Sequence, residues 1–321
     1  MLNRRVLIAS AAALPLAAHG QERSFGAVVD SIMAEARRAG IREDTLRAAF
    51  AGVVPNPRVI ELDRHQPEFT LTWPQYRARV LPETRLQAAR QNFARESGLL
   101  AQVERRFGVG ASVVMGIWGI ESAFGNNKGT YRLVEALTTL AWEGRRASYF
   151  RKELLNALRI LDAGDVSPAR MTGGWAGAMG QPQFMPSSYL SYAVDFDGDG
   201  HRDIWDSKAD VFGSIANYLA RNGWRAGEPW GQPVTVPPSI TPAMAGRDAK
   251  RPLGAWSELG VRRSDGTAFG RSDVPGALLL PDGIEPGRGF MVYRNFNAIR
   301  RYNPSDFYAL AVGLLGDTAI G

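Results

Sequence analysis

The 321-residue chain contains no cysteine. That absence excludes a disulfide framework, thiolate metal sites and a cysteine nucleophile, and it leaves no thiol for a lipid anchor. Histidine is almost as scarce, with His19, His65 and His201 only, so imidazole-rich zinc or iron centres are not expected. No later stretch offers the ~20 apolar residues that a bilayer crossing requires, so the chain is not expected to span a membrane. Apolar residues themselves are plentiful: 45% hydrophobic against 22% charged is the composition of a globular protein, not of a solvated coil. Acidic residues are outnumbered, 32 against 38 basic ones, for a net charge of +6. A basic balance suits an anionic partner. Charges of both signs are nevertheless mixed along the chain and no nucleic-acid motif accompanies them, so nucleic acid is not the expected partner.

Arg4-Arg5 precedes an apolar, small-residue run from Val6 to Ala18, followed by a small-x-small site at Ala18-His19-Gly20. This pattern predicts a secretory signal over residues 1–20, and Asn3-Arg4-Arg5-Val6 carries a weak twin-arginine flavour. Export points to the periplasm. From about 21 to 230 the reading is mainly helical. Apolar residues recur at three- and four-residue spacing in Val28–Ala39, Glu43–Phe50, Glu83–Glu96, Leu99–Phe107, Val113–Ser122, Tyr149–Asp162 and Lys208–Asn222. Gly40, Gly108, Gly125, Gly164 and Gly223 follow several of them as stop signals. Between 231 and 290 proline and glycine become dense, and short strands are expected at Pro233–Val236, Ala277–Leu280 and Phe290–Tyr293. The segment 291–321 holds a last helix, Pro304–Leu315, expected to return to the first lobe. The fold class is therefore α+β: a mainly helical lobe with a smaller β-containing insertion and a returning C-terminal helix.

Three motifs carry chemistry. Ser112 to Gly125 is an almost wholly apolar helix bearing one carboxyl, Glu121, near its end. Gly116 and Gly119 would let another backbone approach closely. A carboxyl at the edge of an apolar core has its pKa raised by desolvation, which keeps a proton available near neutrality, as a general acid requires. The alternative is an ordinary helix-end Glu paired with an arginine. The second motif, Trp175 to Tyr189, mixes glycines with Gln183, Phe184 and hydroxyl groups, a combination suited to a sugar's hydroxyl rim and C–H faces. In the third, Asp195, Asp197 and Asp199 occupy positions 1, 3 and 5 of a calcium-loop pattern, with Gly200 at 6 and the His201 carbonyl at 7. Position 12 is Asp206 instead of the usual Glu, so Asp210 competes with it for the closing role. A metal-free loop of Asx turns is the other reading. No organic cofactor is expected.

Taken together and in order, these motifs resemble those of the B-type lytic murein transglycosylases, family 103 of the glycoside hydrolases. The likeness extends through Leu62-Asp63-Arg64-x-Gln66-Pro67-Glu68-Phe69 and Leu71-Thr72-Trp73 at the front. At the back it takes in Pro281-Asp282-Gly283, Val292-Tyr293-x-Asn295-Phe296 and Arg301-Tyr302-Asn303. The resemblance implies a lysozyme-like fold, peptidoglycan glycan strands as substrate, and Glu121 as the lone acid and base that forms 1,6-anhydromuramic products. It further implies that Gln183 hydrogen-bonds the sugar near Glu121 and that Arg145 and Arg146 hold lactyl or peptide carboxylates. Tyr76, Tyr218 and Tyr302, with Asn295, become candidates for stacking or for facing the cationic centre; each could equally be core. Where the family commonly has Ser before its Ala-Gly-Ala-Met-Gly run, this chain has Gly174. A hydrolytic muramidase and a non-catalytic peptidoglycan-binding protein are the competing readings.

Overall fold

The protein is described by a computed structural model over residues 24–65 and 71–321. The predicted signal segment and the stretch Gln66-Pro67-Glu68-Phe69 lie outside the described residues.

The helical part comprises α1 (Phe25–Arg38), α2 (Glu43–Phe50), α3 (Pro57–Arg64), α4 (Trp73–Val80), α5 (Glu83–Phe107), α6 (Ala111–Ser122), α7 (Leu133–Glu143), α8 (Ala147–Ala163), α9 (Pro186–Tyr192) and α10 (Lys208–Arg221). Two short strands, β1 (Tyr131–Arg132) and β2 (Thr172–Gly173), form an antiparallel pair beside α6 and α7. A second sheet follows, from β3 (Gly231–Thr235), β4 (Arg251–Pro252), β5 (Arg262–Arg263), β6 (Pro275–Leu279) and β7 (Arg288–Val292), with α11 (Leu253–Glu258) between β4 and β5. Its strand order is β4-β6-β7-β3-β5, with antiparallel pairing throughout. The chain then re-enters the helical part as α12 (Arg294–Tyr302) and α13 (Asp306–Ile320).

The two predicted helices Glu83–Glu96 and Leu99–Phe107 are one helix, α5. Ser97-Gly98 reads as a break in the sequence, but both residues face solvent and the helix on either side is anchored by buried Ala89, Leu100 and Val103. Tertiary packing outweighs the ~1 kcal/mol cost of one interior glycine. At Gly108 and Gly164 the left-handed conformation ends α5 and α8, the role that glycine fills at low steric cost.

Two apolar cores organise the helices. One joins α4, α5, α6, α10, α12 and α13; the other joins α1, α2, α3, α7 and α8 to Met179, Phe184, Tyr189 and Trp205. The sheet is apolar on both faces. Alternation along β6 and β7 sends Ala277, Leu279, Phe290 and Val292 into the first helical core, while Leu278 and Met291 meet Trp256 and Val261 in a third, smaller core. The expected edge of the insertion at 290 therefore falls inside β7, a strand that belongs to both.

α13 is central to the first core. Its Gly316 faces the Ser112 carbonyl of α6, and Gly116 of α6 faces the Val312 carbonyl of α13. A β-carbon at either glycine would overlap that backbone. The close approach expected from Gly116 is thus made by the returning C-terminal helix. Gly119 admits side chains instead, the Phe124 ring and Leu315.

Candidate active site

Glu121 lies in the last turn of α6. Beyond it the chain reverses sharply: Ala123, Phe124 and Gly125 all take positive φ, at 49°, 59° and 82°. Among the described residues, Ala123, Phe124 and Gln183 are the non-glycine positions with positive φ. Such conformations cost ~1–3 kcal/mol each and persist where packing enforces them, often at functional sites. Here buried Ser122 enforces the turn. Its hydroxyl donates to the Trp118 carbonyl (3.1 Å) and accepts from the Gly125 N–H (3.1 Å), while its own carbonyl accepts from Asn127 (2.8 Å).

The Glu121 side chain is half-buried. Its Oε1 accepts a hydrogen bond of 2.5 Å from the phenol of Tyr308, on α13. Burial raises its pKa to about 7, and the Tyr308 hydrogen bond pulls in the opposite direction. Two more tyrosines sense its charge. Burial raises the pKa of Tyr76 and Tyr302, and the Glu121 carboxylate adds to both effects.

Gln181 fixes how the three motifs meet. Its Oε1 accepts from Trp118 Nε1 of the first motif (2.7 Å), and its Nε2 donates to the Trp205 carbonyl within the third (2.8 Å). Gly125 passes so close that a β-carbon there would stand 2.6 Å from Gln181 Oε1. The Gly-rich loop folds back on itself through paired bonds between Met179 and Phe184 (2.8 and 3.1 Å). This places Gln183 at φ 52°, where its Nε2 donates to the carbonyls of Gly180 (2.8 Å) and Lys128 (3.3 Å). A β-carbon at Gly174 would lie 3.6 Å from Gln183 Oε1, an ordinary contact, so the residue leaves open space beside that amide.

Three of the aromatic candidates form one cluster, and Tyr76 stands apart from it. Phe184, Tyr218 and Tyr302 have mutual ring-centroid distances of 4.7–5.7 Å. Tyr302 donates to the Pro182 carbonyl (2.6 Å) and Tyr218 to the Arg301 carbonyl (2.5 Å), which ties the sugar-suited loop to α12. Tyr76 stacks on Trp73 at the start of α4.

Other candidates have structural occupations. Asn295 is fully buried; its side chain accepts from the Arg225 N–H (2.7 Å) and donates to the Arg225 and Glu228 carbonyls (2.9 and 2.6 Å). With those bonds made it braces the turn before β3, and the expectation that it faces substrate is corrected. Arg145 and Arg146 converge on buried Asp63 at 3.0 and 2.5 Å, and their guanidiniums hold its carboxyl below the usual range against the opposing effect of burial. They stay half-exposed, at 52% and 42%, with Arg146 lying over the Phe150 ring.

In the aspartate loop, the carboxylates of Asp195, Asp197 and Asp210 approach to within 4.8 Å of one another. Asp210 is fully buried and spans the loop, accepting from the Phe196 N–H (2.7 Å) and the Asp203 N–H (2.7 Å). Desolvation, helped by Asp197, raises its pKa to about 6. Asp199 accepts from the His201 N–H (2.8 Å). Asp206 stands outside the cluster, because Lys128 (2.7 Å) and Arg170 engage it.

Tyr308 and Gln181 went unrecognised in the sequence. Tyr308 is 187 positions from Glu121, and no spacing rule links them. Gln181 lay inside the Trp175–Tyr189 motif, but nothing in that stretch marked it as a buried joint between motifs.

A helical lobe, a lone half-buried acid at a helix end and a polar aromatic loop define the class: a lysozyme-like protein of glycan cleavage. A family model described as "Transglycosylase SLT domain" matches residues 24–317, and the chain belongs to that family. It is 33% identical over 260 residues to the membrane-bound lytic murein transglycosylase B of Escherichia coli K12, covering 76% of this chain and 66% of that protein's length. The crystal structure of SltB3 from Pseudomonas aeruginosa in complex with NAG-anhNAM-pentapeptide matches at TM-score 0.89 and 44% identity, over 93% of this chain and 80% of that one. The Escherichia coli lytic transglycosylase Slt35 in complex with calcium matches at TM-score 0.77 and 29% identity, over 94% and 93%. The chain is thus of the B-type lytic transglycosylase kind.

Proposed function

We propose that the protein cleaves the bond between N-acetylmuramic acid and N-acetylglucosamine in peptidoglycan strands and releases 1,6-anhydromuramic products. One observation carries this reading: Glu121 is a desolvated carboxyl without a charged partner among the described residues. Among the described residues no second carboxylate acts on it. Most glycosidases that use water or an enzyme nucleophile deploy a pair of carboxyl groups. A single carboxyl suffices if the substrate supplies both the stabilising group and the nucleophile. Glu121, protonated near neutrality, gives its proton to the glycosidic oxygen as the C1–O bond breaks. The muramyl N-acetyl oxygen stabilises C1. Glu121, now a carboxylate, takes the proton from that sugar's 6-hydroxyl as the hydroxyl oxygen bonds to C1. The acid is regenerated and no water is consumed.

Gln183 is assigned to hold the sugar near Glu121, with Phe184, Tyr76, Tyr218 and Tyr302 forming the aromatic wall. Arg145 and Arg146 present their exposed faces to lactyl or peptide carboxylates. The anhydro ligand of SltB3 supports the product class. The proposed substrate and the predicted leader support the periplasm as its location, and no helix among the described residues is long and apolar enough to cross a membrane. The division into a helical catalytic lobe, a β-containing insertion and a returning segment belongs to the same reading. Calcium fits the aspartate loop, because three hard oxygen donors converge there and one of them is buried. Asp195, Asp197 and Asp210 would hold the cation, with Asp199 and the His201 carbonyl beside them. Its contribution would be structural.

Digestion of purified sacculi, read by mass spectrometry, tests the reaction. Anhydromuropeptides are expected. Products heavier by one water would instead identify a hydrolytic muramidase.

A further inference from the structure

We propose that Tyr308 is a positioning residue that decides which oxygen of Glu121 handles the catalytic proton: the phenol occupies Oε1, so Oε2 gives and takes the proton. The proposal rests on Glu121 being the acid and base.

The geometry behind it is over-determined. Tyr308 is 4% exposed, in the first turn of α13, and the Ser305 hydroxyl accepts from its N–H at 3.3 Å. The distance between α13 and α6 is set backbone against backbone, through Gly116 against Val312 and Gly316 against Ser112, so the helix that carries the phenol is held close against the one that carries the acid. Its hydroxyl donates to Glu121 Oε1 at 2.5 Å, at the short end for an uncharged donor.

An oxygen of a carboxyl group can accept that bond in both protonation states, as the C=O of the acid and as part of the carboxylate. Burial holds Tyr308 well above the usual tyrosine range, so the phenol keeps its proton wherever Glu121 titrates. Oε1 is therefore an acceptor throughout the cycle and the mobile proton belongs on the other oxygen. Among the described residues no hydrogen-bond donor reaches Oε2, which keeps contact with solvent and so is the oxygen open to a substrate. The groups facing Glu121 are Tyr308 from α13, Tyr302 from α12 and Tyr76 from α4. Among the described residues no lysine, arginine or histidine charge acts on it, so the phenol is the group that tunes the acid.

The test is the pH profile of anhydromuropeptide release by the full-length enzyme. Tyr308→Phe keeps the ring and removes the donor. A lost hydrogen bond is worth about tenfold, so kcat is expected to fall by about that factor with KM little changed. The basic limb, where the acid loses its proton, should move to higher pH. A fluorinated tyrosine at 308 keeps shape and strengthens the donor, and should move the limb to lower pH. Opposite displacements by the two replacements cannot come from a merely structural residue. If Tyr308→Phe does not fold, the fluorotyrosine protein alone decides the matter. A limb unmoved by a folded variant overturns the proposal. Glu121→Gln separates the two layers: if it remains active, the assignment of the acid fails; if it is inactive while the limb stays fixed, only the role of Tyr308 fails.

Discussion

Two carboxylate sites in this molecule receive opposite treatment. At the end of α6 a single carboxyl is desolvated, given one neutral donor and left without a counter-charge. In the aspartate loop three carboxylates crowd together, Asp195 and Asp197 in solvent and Asp210 in the interior, and each accepts backbone N–H bonds. Isolation makes a proton mobile near neutral pH, whereas crowding with fixed N–H donors makes a cradle for a cation. On the proposed reading the same functional group is a reagent in one place and a fastener in the other, and the difference lies in its neighbours.

The sharpest way to break that comparison is Glu121→Gln. The amide keeps the shape and can still accept from Tyr308, but it cannot cycle a proton. Release of anhydromuropeptides should fall by at least ~100-fold with the fold unchanged by circular dichroism. Activity within ~10-fold of the parent would remove Glu121 from the chemistry.

The same substitution should stabilise the protein at alkaline pH. The unfolded chain loses this proton near 4.5 and the folded one near 7, so between those values the unfolded state binds fewer protons and stability falls as pH rises. Above pH 7 the full cost, about 3 kcal/mol, is in force. Denaturant melts at pH 5 and pH 8 should show the parent losing stability relative to Glu121→Gln by an amount of that order. Parallel behaviour would mean that the carboxyl is not desolvated.

For the aspartate loop, calcium at a hundredfold excess over its dissociation constant should add ~2.7 kcal/mol, visible as a higher Tm. Magnesium should do less, because it prefers a smaller and more rigid octahedral shell. Asp197→Ala should abolish the gain while leaving lytic activity at low temperature. Identical melting curves in calcium and in chelator would refute the cradle.

A smaller effect is expected from Gly316→Ala. The added methyl would overlap the Ser112 carbonyl, and overpacking of this kind costs about 1–3 kcal/mol. Because α13 carries Tyr308, the variant should also lower kcat after correction for the folded fraction.

Much of the architecture was legible where local rules act alone. Apolar spacing with a following glycine marked α6, α8 and α10, and Glu121 stood out because nothing else polar shares its helix face. What escaped were features made by distant chain segments meeting. Asp210 and Asp206 looked equivalent by position. In the fold, Ser207 caps α10, turning Asp210 inward to the loop and leaving Asp206 outside for Lys128 and Arg170. Asn295, chosen from its motif, became scaffold because its buried amide, with both donors and acceptor, holds the exposed turn at Arg225–Glu228. α7 and α12 were not framed, although Gly144, left-handed at the end of the first, and Pro304, just beyond the second, are stop signals of the usual kind.

The bond between Glu121 and Tyr308 closes a loop of 187 residues. Contacts so remote in sequence form late, since the entropy of closing the loop must be met before they return anything. A partly folded or clipped chain could therefore already display the acid while lacking its tyrosine. On the proposed reading of a peptidoglycan-cleaving enzyme, this order works as a safety catch: full competence arrives only once the whole chain has taken shape.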